Sequence, residues 1–326
     1  MKWKHLLLAV LVAWGIPWLI LSVAQTRQAA PKETADSVAP ETTVIGIKQQ
    51  PKKSSTLIPV LMDDGSVVSM DLEQYLCGVV LGEMPADFEM EALKAQAVVA
   101  RTYTLKHHAS QLKHPDGGVC TDHTCCQAYC SEQDYLTAGH TQAQLEKVKQ
   151  AVTDTQSLVL TYGGSLIDAT YFSCSGGKTE DAVAVWGTDI PYLQSVDSPG
   201  EEIATHYVDT VTFSLEQFRQ KLGTQLSATP EKWFGEVTCT EGGGVATMEL
   251  GGTVYSGTEL RSLLGLRSTA FYMTLLGDTI TVTTKGFGHR VGMSQYGAEA
   301  MAAKGSTFAE ILAHYYPGTT LQTWHE

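Results

Sequence analysis

The chain opens with a basic tip, Lys2, Lys4 and His5, followed by 19 residues without a charge, Leu6 to Ala24. A run of that length can cross a bilayer, and basic residues ahead of it place the N-terminus inside. The pattern predicts a cytoplasmic tip at 1–5, a single transmembrane anchor at 6–24 and everything after it outside the cytoplasm. Leu21-Ser-Val-Ala24 also offers the small-residue site at which a removable signal is cut. Residues 25–55 are rich in Gln, Ala, Pro, Thr, Lys and Ser with no amphipathic period, and are expected to be a flexible linker. The remainder, 56–326, is long enough for one large core or two lobes.

Within 56–326 the periods alternate. Leu57 to Leu61 and Ser66 to Met70, around Asp63-Asp-Gly65, predict a hairpin. Leu145, Val148 and Val152 predict a helix over about 141–154. Leu158 to Tyr162 and Leu166 to Phe172, joined at Gly163-Gly164, predict a second hairpin that runs into Ser173-Cys-Ser-Gly-Gly177. Further on, strands are expected at 236–240 and 246–250, a hairpin at 270–275 and 279–283, and helices near 216–222, 256–264, 294–304 and 308–314. Hairpins and helices without regular βαβ alternation give an α+β class. The expected architecture is a membrane anchor plus one mixed α/β extracytoplasmic domain, two-lobed with a groove.

A stretch from Tyr75 to Tyr103 stands out. An apolar segment leads to Gly82, one carboxylate follows at Glu83, and Pro85 keeps Met84 out of helical geometry. The helix beyond carries Glu89 and Glu91 in its first turn and only Lys94 and Gln96 as polar residues between Ala92 and Ala100, so it is expected in the core. Lys94 and Arg101 are two turns apart and share a face. A carboxylate at an element break beside a buried helix can have its pKa raised by partial burial, as acid/base work requires, although such a glutamate also serves as a plain cap or surface charge.

The net charge of −13 argues against nucleic acid or any anionic polymer bound by charge alone, and is compatible with a neutral glycan. Of seven cysteines, Cys120, Cys125, Cys126 and Cys130 lie close together, with His114 and His123 nearby. Their spacing suits either a tetrahedral zinc site or a pair of local disulfides. Cys77 and Cys239 fall in apolar contexts that predict buried, inert thiols. His289, in a loop with three glycines, could donate to a sugar or orient the loop. Ser173 and Ser175 lack a nucleophile-elbow pattern and read as hydrogen-bonding groups.

Four stretches carry a resemblance: Gly82-Glu-Met-Pro85 with Leu93-Lys-Ala-Gln-Ala97 and Ala100-Arg-Thr-Tyr103; Cys120-Thr-Asp-His-Thr-Cys-Cys-Gln-Ala-Tyr129; Ser173-Cys-Ser-Gly-Gly177 with Val185-Trp-Gly and Pro191 to Ser198; and Gly286-Phe-Gly-His-Arg-Val-Gly-Met-Ser-Gln-Tyr-Gly297. Together with the His314-Tyr-Tyr-Pro-Gly318 ending, this set resembles the stage II sporulation protein D family from about Leu57 to Leu321.

The resemblance implies a membrane-anchored lytic transglycosylase that cuts peptide-stripped peptidoglycan strands during engulfment in spore formation. It puts the catalytic acid at Glu83, its supporting arginine at Arg101, and groove residues at Tyr171 and Ser173. It also tips the cysteine loop toward structural zinc on His114, Cys120, Cys125 and Cys126, with Cys125 where the family usually has histidine; Cys130 and His123 are further candidates. Cys174 is a second departure. The implied partners are stage II sporulation protein P, an amidase that strips peptides first, and the membrane scaffold protein M of the same stage.

One carboxylate suffices for such chemistry, because the muramic 6-hydroxyl is a tethered nucleophile and the product is a 1,6-anhydro sugar. Two other readings compete. The same domain family includes non-catalytic enhancers of a cell-wall amidase, and the Cys/His loop could serve a zinc amidase or peptidase, although a thiolate-rich set reads as closed.

Overall fold

The computed structural model describes residues 43–44, 56–110, 113–114, 118–223, 226 and 229–325. Among them no helix is long and apolar enough to cross a membrane. The expected single-pass anchor therefore finds no support here, because residues 6–24, which carried it, lie outside the described residues, as does the expected linker apart from 43–44.

The helices are α1 (Leu72–Glu83), α2 (Met90–Ser110), α3 (Glu132–Thr137), α4 (Gln142–Asp154), α5 (Ala182–Trp186), α6 (Leu215–Leu222), α7 (Gly257–Leu264), α8 (Gln295–Ala302) and α9 (Phe308–Tyr315). α2 is the axis of the molecule, buried on nearly every side from Ala92 to Leu105 and packed against α1, α4, α8, α9 and the strand Leu158–Tyr162. Its nearly continuous apolar surface accounts for that position, since a helix apolar all round lowers its free energy only when enclosed.

Local signals set the helix starts. The Asp71 side chain accepts from the Glu73 and Gln74 amides and begins α1. Capping boxes at Thr141, Ser214, Ser256 and Thr307 begin α4, α6, α7 and α9. Each cap satisfies backbone donors that a helix leaves open, worth about 0.5–2 kcal/mol. α1 stops at Glu83 because Met84 is extended, with φ −134° and ψ 136°, as the following Pro85 requires.

The strands form small sheets, mostly antiparallel. The Leu57–Leu61/Val67–Asp71 hairpin forms as expected and feeds α1. The second hairpin is shorter than its pattern suggests: of its second strand only Ser165–Leu166 pairs with Leu158–Tyr162, whose other edge pairs with Thr320–Thr323. The chain then leaves that sheet, and Tyr171–Phe172 pairs in parallel with Met293–Ser294. Thr43–Val44, inside the expected linker, pairs in parallel with Thr320–Leu321.

The apolar interior divides in two. A large cluster surrounds α1 and α2 and takes in Val291, Met293 and the α9 residues. A smaller one, with Phe218, Trp233, Leu260 and Val282 at its centre, is built from the strands and helices between Val208 and Lys285. That second core is inserted between Ser173-Cys-Ser-Gly-Gly177 and Gly286–Gly292, two loops that the Cys174–Phe287 bridge holds together. Arg290, almost fully buried with φ 67°, locks this junction by donating to the Glu180 carboxylate and to the Ser175, Lys178 and Gly242 carbonyls.

Candidate active site

Glu83 is the last residue of α1, where the helix has just broken and its side chain is half-buried. Its Oε1 accepts the Ala128 N–H at 2.7 Å and lies 3.0 Å from the Tyr171 hydroxyl. Its Oε2 is 3.4 Å from the Gln295 amide nitrogen. Burial pushes the carboxyl above its ordinary range, and the hydrogen bonds from Ala128, Tyr171 and Gln295 offset part of that. The result is a carboxyl group whose two oxygens are unequal: one has two close neighbours, the other one long contact.

Ala128 reaches Glu83 because α1 is notched. Gly78 and Gly82 lie one turn apart, and the loop carrying Ala128 and Tyr129 packs onto them. A Cβ at Gly78 would stand 2.2 Å from the Tyr129 ring, and one at Gly82 would stand 2.9 Å from the Tyr129 nitrogen. The Cys130 N–H closes the contact by donating to the Gly78 carbonyl at 2.9 Å. A side chain at either glycine would lift the loop and withdraw the N–H from Glu83.

Tyr171 is set from the opposite side. Its strand pairs with Met293–Ser294, in the segment that follows His289, whose Nδ1 accepts the Val291 N–H at 3.1 Å. Burial, with Arg261 adding, lowers His289 to about 4, so the ring stays neutral and orients the loop. Tyr171 Oη also lies 3.1 Å from Gln127 Oε1. Burial and the adjacent Glu83 carboxylate keep the phenol protonated, well above its ordinary pKa.

The other expected residues divide. Ser173 adjoins this constellation: its carbonyl accepts the Tyr296 N–H at 3.0 Å, one residue from Gln295. Ser175 is fully buried and donates to Glu201, a framework contact. Arg101 is not brought to Glu83. It is fully buried and donates to Glu73 at 2.9 and 2.6 Å and to the Leu158 and Val152 carbonyls. Glu73 and Glu83 are ten residues apart on α1, about 15 Å at 1.5 Å per residue. Arg101 thus holds the start of the helix whose end carries Glu83. Lys94 pairs with Glu91 and Asp154 instead of contributing to a basic stripe at the site.

The Cys/His loop gathers as expected. The donor atoms of His114, Cys120, Cys125 and Cys126 all lie within 4.8 Å of one another. His114 Nε2 is 3.7 Å from Cys125 Sγ and 3.5 Å from Cys126 Sγ, and the two sulfurs are 4.0 Å apart. Tetrahedral bonds of about 2.3 Å to sulfur and about 2.0 Å to nitrogen separate neighbouring donors by roughly 3.5–3.8 Å, so the set fits a four-coordinate soft metal. A shallow depression of about 550 Å³, lined in part by Met62, Thr121 and His123, opens beside it and provides an entry path. His123 itself is exposed and turned to Asp122, and the Cys130 thiol faces the Ser131 carbonyl. Neither joins the cluster. Cys239 is exposed, contrary to its apolar context, because its edge strand presents almost every residue to solvent.

Gln127, Ala128 and Gln295 were not picked out by residue type. They lie in the motif stretches, but they meet Glu83 and Tyr171 from separations of 44, 45 and 212 residues, which no local period reports.

The chain is 42% identical over 303 residues to stage II sporulation protein D of Bacillus subtilis (strain 168), spanning 89% of this chain and 88% of that protein. It is 44% identical over 276 residues to stage II sporulation protein D of Bacillus amyloliquefaciens, 83% of this chain and 80% of the other. The chain belongs to the stage II sporulation protein D family. The SpoIID stage II sporulation protein profile matches residues 63–162, which hold Glu83, Arg101 and the four clustered donors, whereas Tyr171, Ser173 and Gln295 lie beyond it. An amidase enhancer of Bacillus subtilis (strain 168) is 32% identical over 311 residues, 76% of this chain and 40% of the enhancer.

Proposed function

We propose that this member of the stage II sporulation protein D family is a lytic transglycosylase that cuts peptide-stripped peptidoglycan strands during engulfment, working outside the cytoplasm and facing the wall. The observation that carries the reading is the state of Glu83: a half-buried carboxyl with a raised pKa, held by an amide N–H, a phenol and a primary amide. Hydrolytic glycosidases use two carboxylates, whereas intramolecular attack needs only one.

With Oε1 engaged by the Ala128 N–H, the acidic proton belongs on Oε2. Glu83 gives it to the glycosidic oxygen as the bond to the muramic anomeric carbon breaks. The resulting carboxylate takes the proton of the 6-hydroxyl as that oxygen closes on the anomeric carbon. The product is a 1,6-anhydro end and no water is consumed. Tyr171 steadies the carboxylate during the second half, Ser173 lines the groove, and Arg101 acts as a positioning residue through Glu73 and α1.

The Cys/His cluster would hold zinc through His114, Cys120, Cys125 and Cys126, and the ion's contribution would be to fix the loop fold. The reading brings with it stage II sporulation protein P, which would strip the peptides beforehand, and the scaffold protein M as partners.

The test is digestion of peptide-free strands by the wild type and Glu83→Gln, with fragments weighed by mass spectrometry. Anhydro-ended fragments from the wild type alone support the reading. The amidase enhancer relative favours a second one, a non-catalytic stimulator of a wall amidase. It takes over when both proteins leave strands whole and both stimulate the amidase.

A further inference from the structure

We propose that Gln127 is a positioning residue which competes with Glu83 for the hydroxyl proton of Tyr171, so that this hydroxyl keeps an acceptor in both ionisation states of Glu83. The proposal rests on Glu83 being the acid and base of the reaction, and deepens that reading.

The argument is a count of protons. Tyr171 Oη is 3.0 Å from Glu83 Oε1 and 3.1 Å from Gln127 Oε1, and the hydroxyl has one proton for two acceptors. The Gln127 amide is held in that orientation: it is almost fully buried, and its nitrogen donates to Thr104 Oγ1 at 2.8 Å. The carbonyl end is therefore the end that faces Tyr171.

Acceptor strength then decides where the proton points. A carboxylate is a stronger acceptor than an amide carbonyl, and an amide carbonyl is stronger than the carbonyl of a neutral acid. When Glu83 is ionised the Tyr171 proton turns to it. When Glu83 is protonated on Oε2 the proton turns to Gln127, while Oε1 keeps the Ala128 N–H. No heavy atom moves, so the site serves the acid and the base halves of the reaction in one geometry. The competition also weakens Tyr171's support of the carboxylate, which favours the protonated form that begins the reaction.

The ionisable groups acting on this pair are Tyr75 from α1, Tyr103 from α2 and His123 from the Cys/His loop. Burial keeps both tyrosines protonated far beyond the working range, so they contribute no change of charge.

The experiment reads Glu83 directly. The full chain is labelled with ¹³C-carboxyl glutamate, the Glu83 signal is assigned by its loss in Glu83→Gln, and its chemical shift is followed against pH. Gln127→Leu, with Gln127→Met as a second replacement of similar length, leaves Tyr171 no competing acceptor and is expected to lower the apparent pKa of Glu83 by about one unit. In a Tyr171→Phe background the same substitution is expected to shift it by less than about a third of that. An unchanged pKa overturns the proposal. So does an equal fall in the Tyr171→Phe background, which would mean that Gln127 acts without the hydroxyl. A rise overturns it too, because the amide nitrogen would then be the group facing Tyr171. The titration needs no turnover, so a chain that shows these shifts but leaves glycan strands whole refutes the transglycosylase reading alone.

Discussion

Arg101 and Glu73 form a two-pronged ion pair, with Nε at 2.9 Å and Nη2 at 2.6 Å from the two carboxylate oxygens, and no part of the Arg101 side chain is exposed. The remaining donors go to carbonyls at the end of α4 and the start of the Leu158–Tyr162 strand. One side chain thus ties α2, α1, α4 and that strand together at the end of α1 remote from Glu83.

Replacing Arg101 by Met is accordingly expected to act on stability first. Breaking a buried pair by removing one partner leaves the other charge uncompensated and typically costs about 3–5 kcal/mol. Urea unfolding should show that loss, and should show a smaller one for Arg101→Met combined with Glu73→Leu, where no charge is stranded. Strand cleavage per folded molecule should fall far less than it does for Glu83→Gln. A loss of cleavage equal to that of Glu83→Gln, with stability intact, would place the guanidinium in the chemistry instead.

Glu83 itself should weaken the fold at neutral pH. Its folded pKa is raised above the ordinary 4.5, first by burial, so the native state binds the proton more tightly than the unfolded chain does. The stability this gives is complete below the unfolded value and is lost as pH rises through the folded one. Gln at this position keeps a carbonyl for Ala128 and Tyr171 without the charge. Glu83→Gln should therefore raise Tm near pH 7, by about 2 °C if the gain is on the order of 1 kcal/mol, and the advantage should fade below the carboxylate range. Thermal scans across pH check this; an advantage independent of pH would mean that its source is not the ionisation of Glu83.

Tyr171→Phe removes a donor from the carboxylate form of Glu83 while leaving the ring in place. Hydrogen bonds to the charged form lower a carboxyl pKa, so their loss raises it. The alkaline limb of the kcat/KM profile, where the acid form is titrated away, should move to higher pH while the maximal rate falls roughly 10-fold to 100-fold for want of support to the returning carboxylate. A lower rate with an unmoved limb would confine Tyr171 to substrate contact.

What the chain reveals in advance and what it hides follow from the range of the forces involved. The break at Glu83 was legible because Pro85 dictates Met84 locally, and the capped start at Ser256 was legible because it involves residues three apart. The crowding of thiols and imidazoles was legible because they share a short loop, but the choice between a metal and disulfides, and the grouping of His114, Cys120, Cys125 and Cys126, came from the family resemblance. The partner of Arg101 was not legible, since nothing in its helical face points to Glu73, 28 residues earlier. Nor was the glycine notch on α1, because Gly78 matters only for what packs on it, the Tyr129 ring. The shortened second hairpin has the same origin: Tyr171 has strand character by composition, but its partner is Met293, on the far side of the inserted core.

The notch connects the Cys/His cluster to Glu83, and this gives the last prediction. Ala128, whose N–H meets Glu83 Oε1, lies two residues beyond Cys126. Burial pushes the Cys126 thiol up to about 12, with Cys120 and Cys125 adding to it, so a metal ion must displace protons to bind and its retention should weaken as pH falls. Chelation should lower Tm by roughly 2–4 °C for each kcal/mol of binding energy withdrawn. It should also reduce strand cleavage, through a displaced Ala128 amide, without changing the identity of the anhydro product. Metal analysis should find one ion per chain in the wild type and in His123→Ala and Cys130→Ser, and much less in Cys125→Ser, because the first two side chains lie outside the cluster and the third is within it. Full cleavage by metal-free protein would separate the loop from the Ala128 contact, and loss of metal from Cys130→Ser would redraw the ligand set around a different fourth donor.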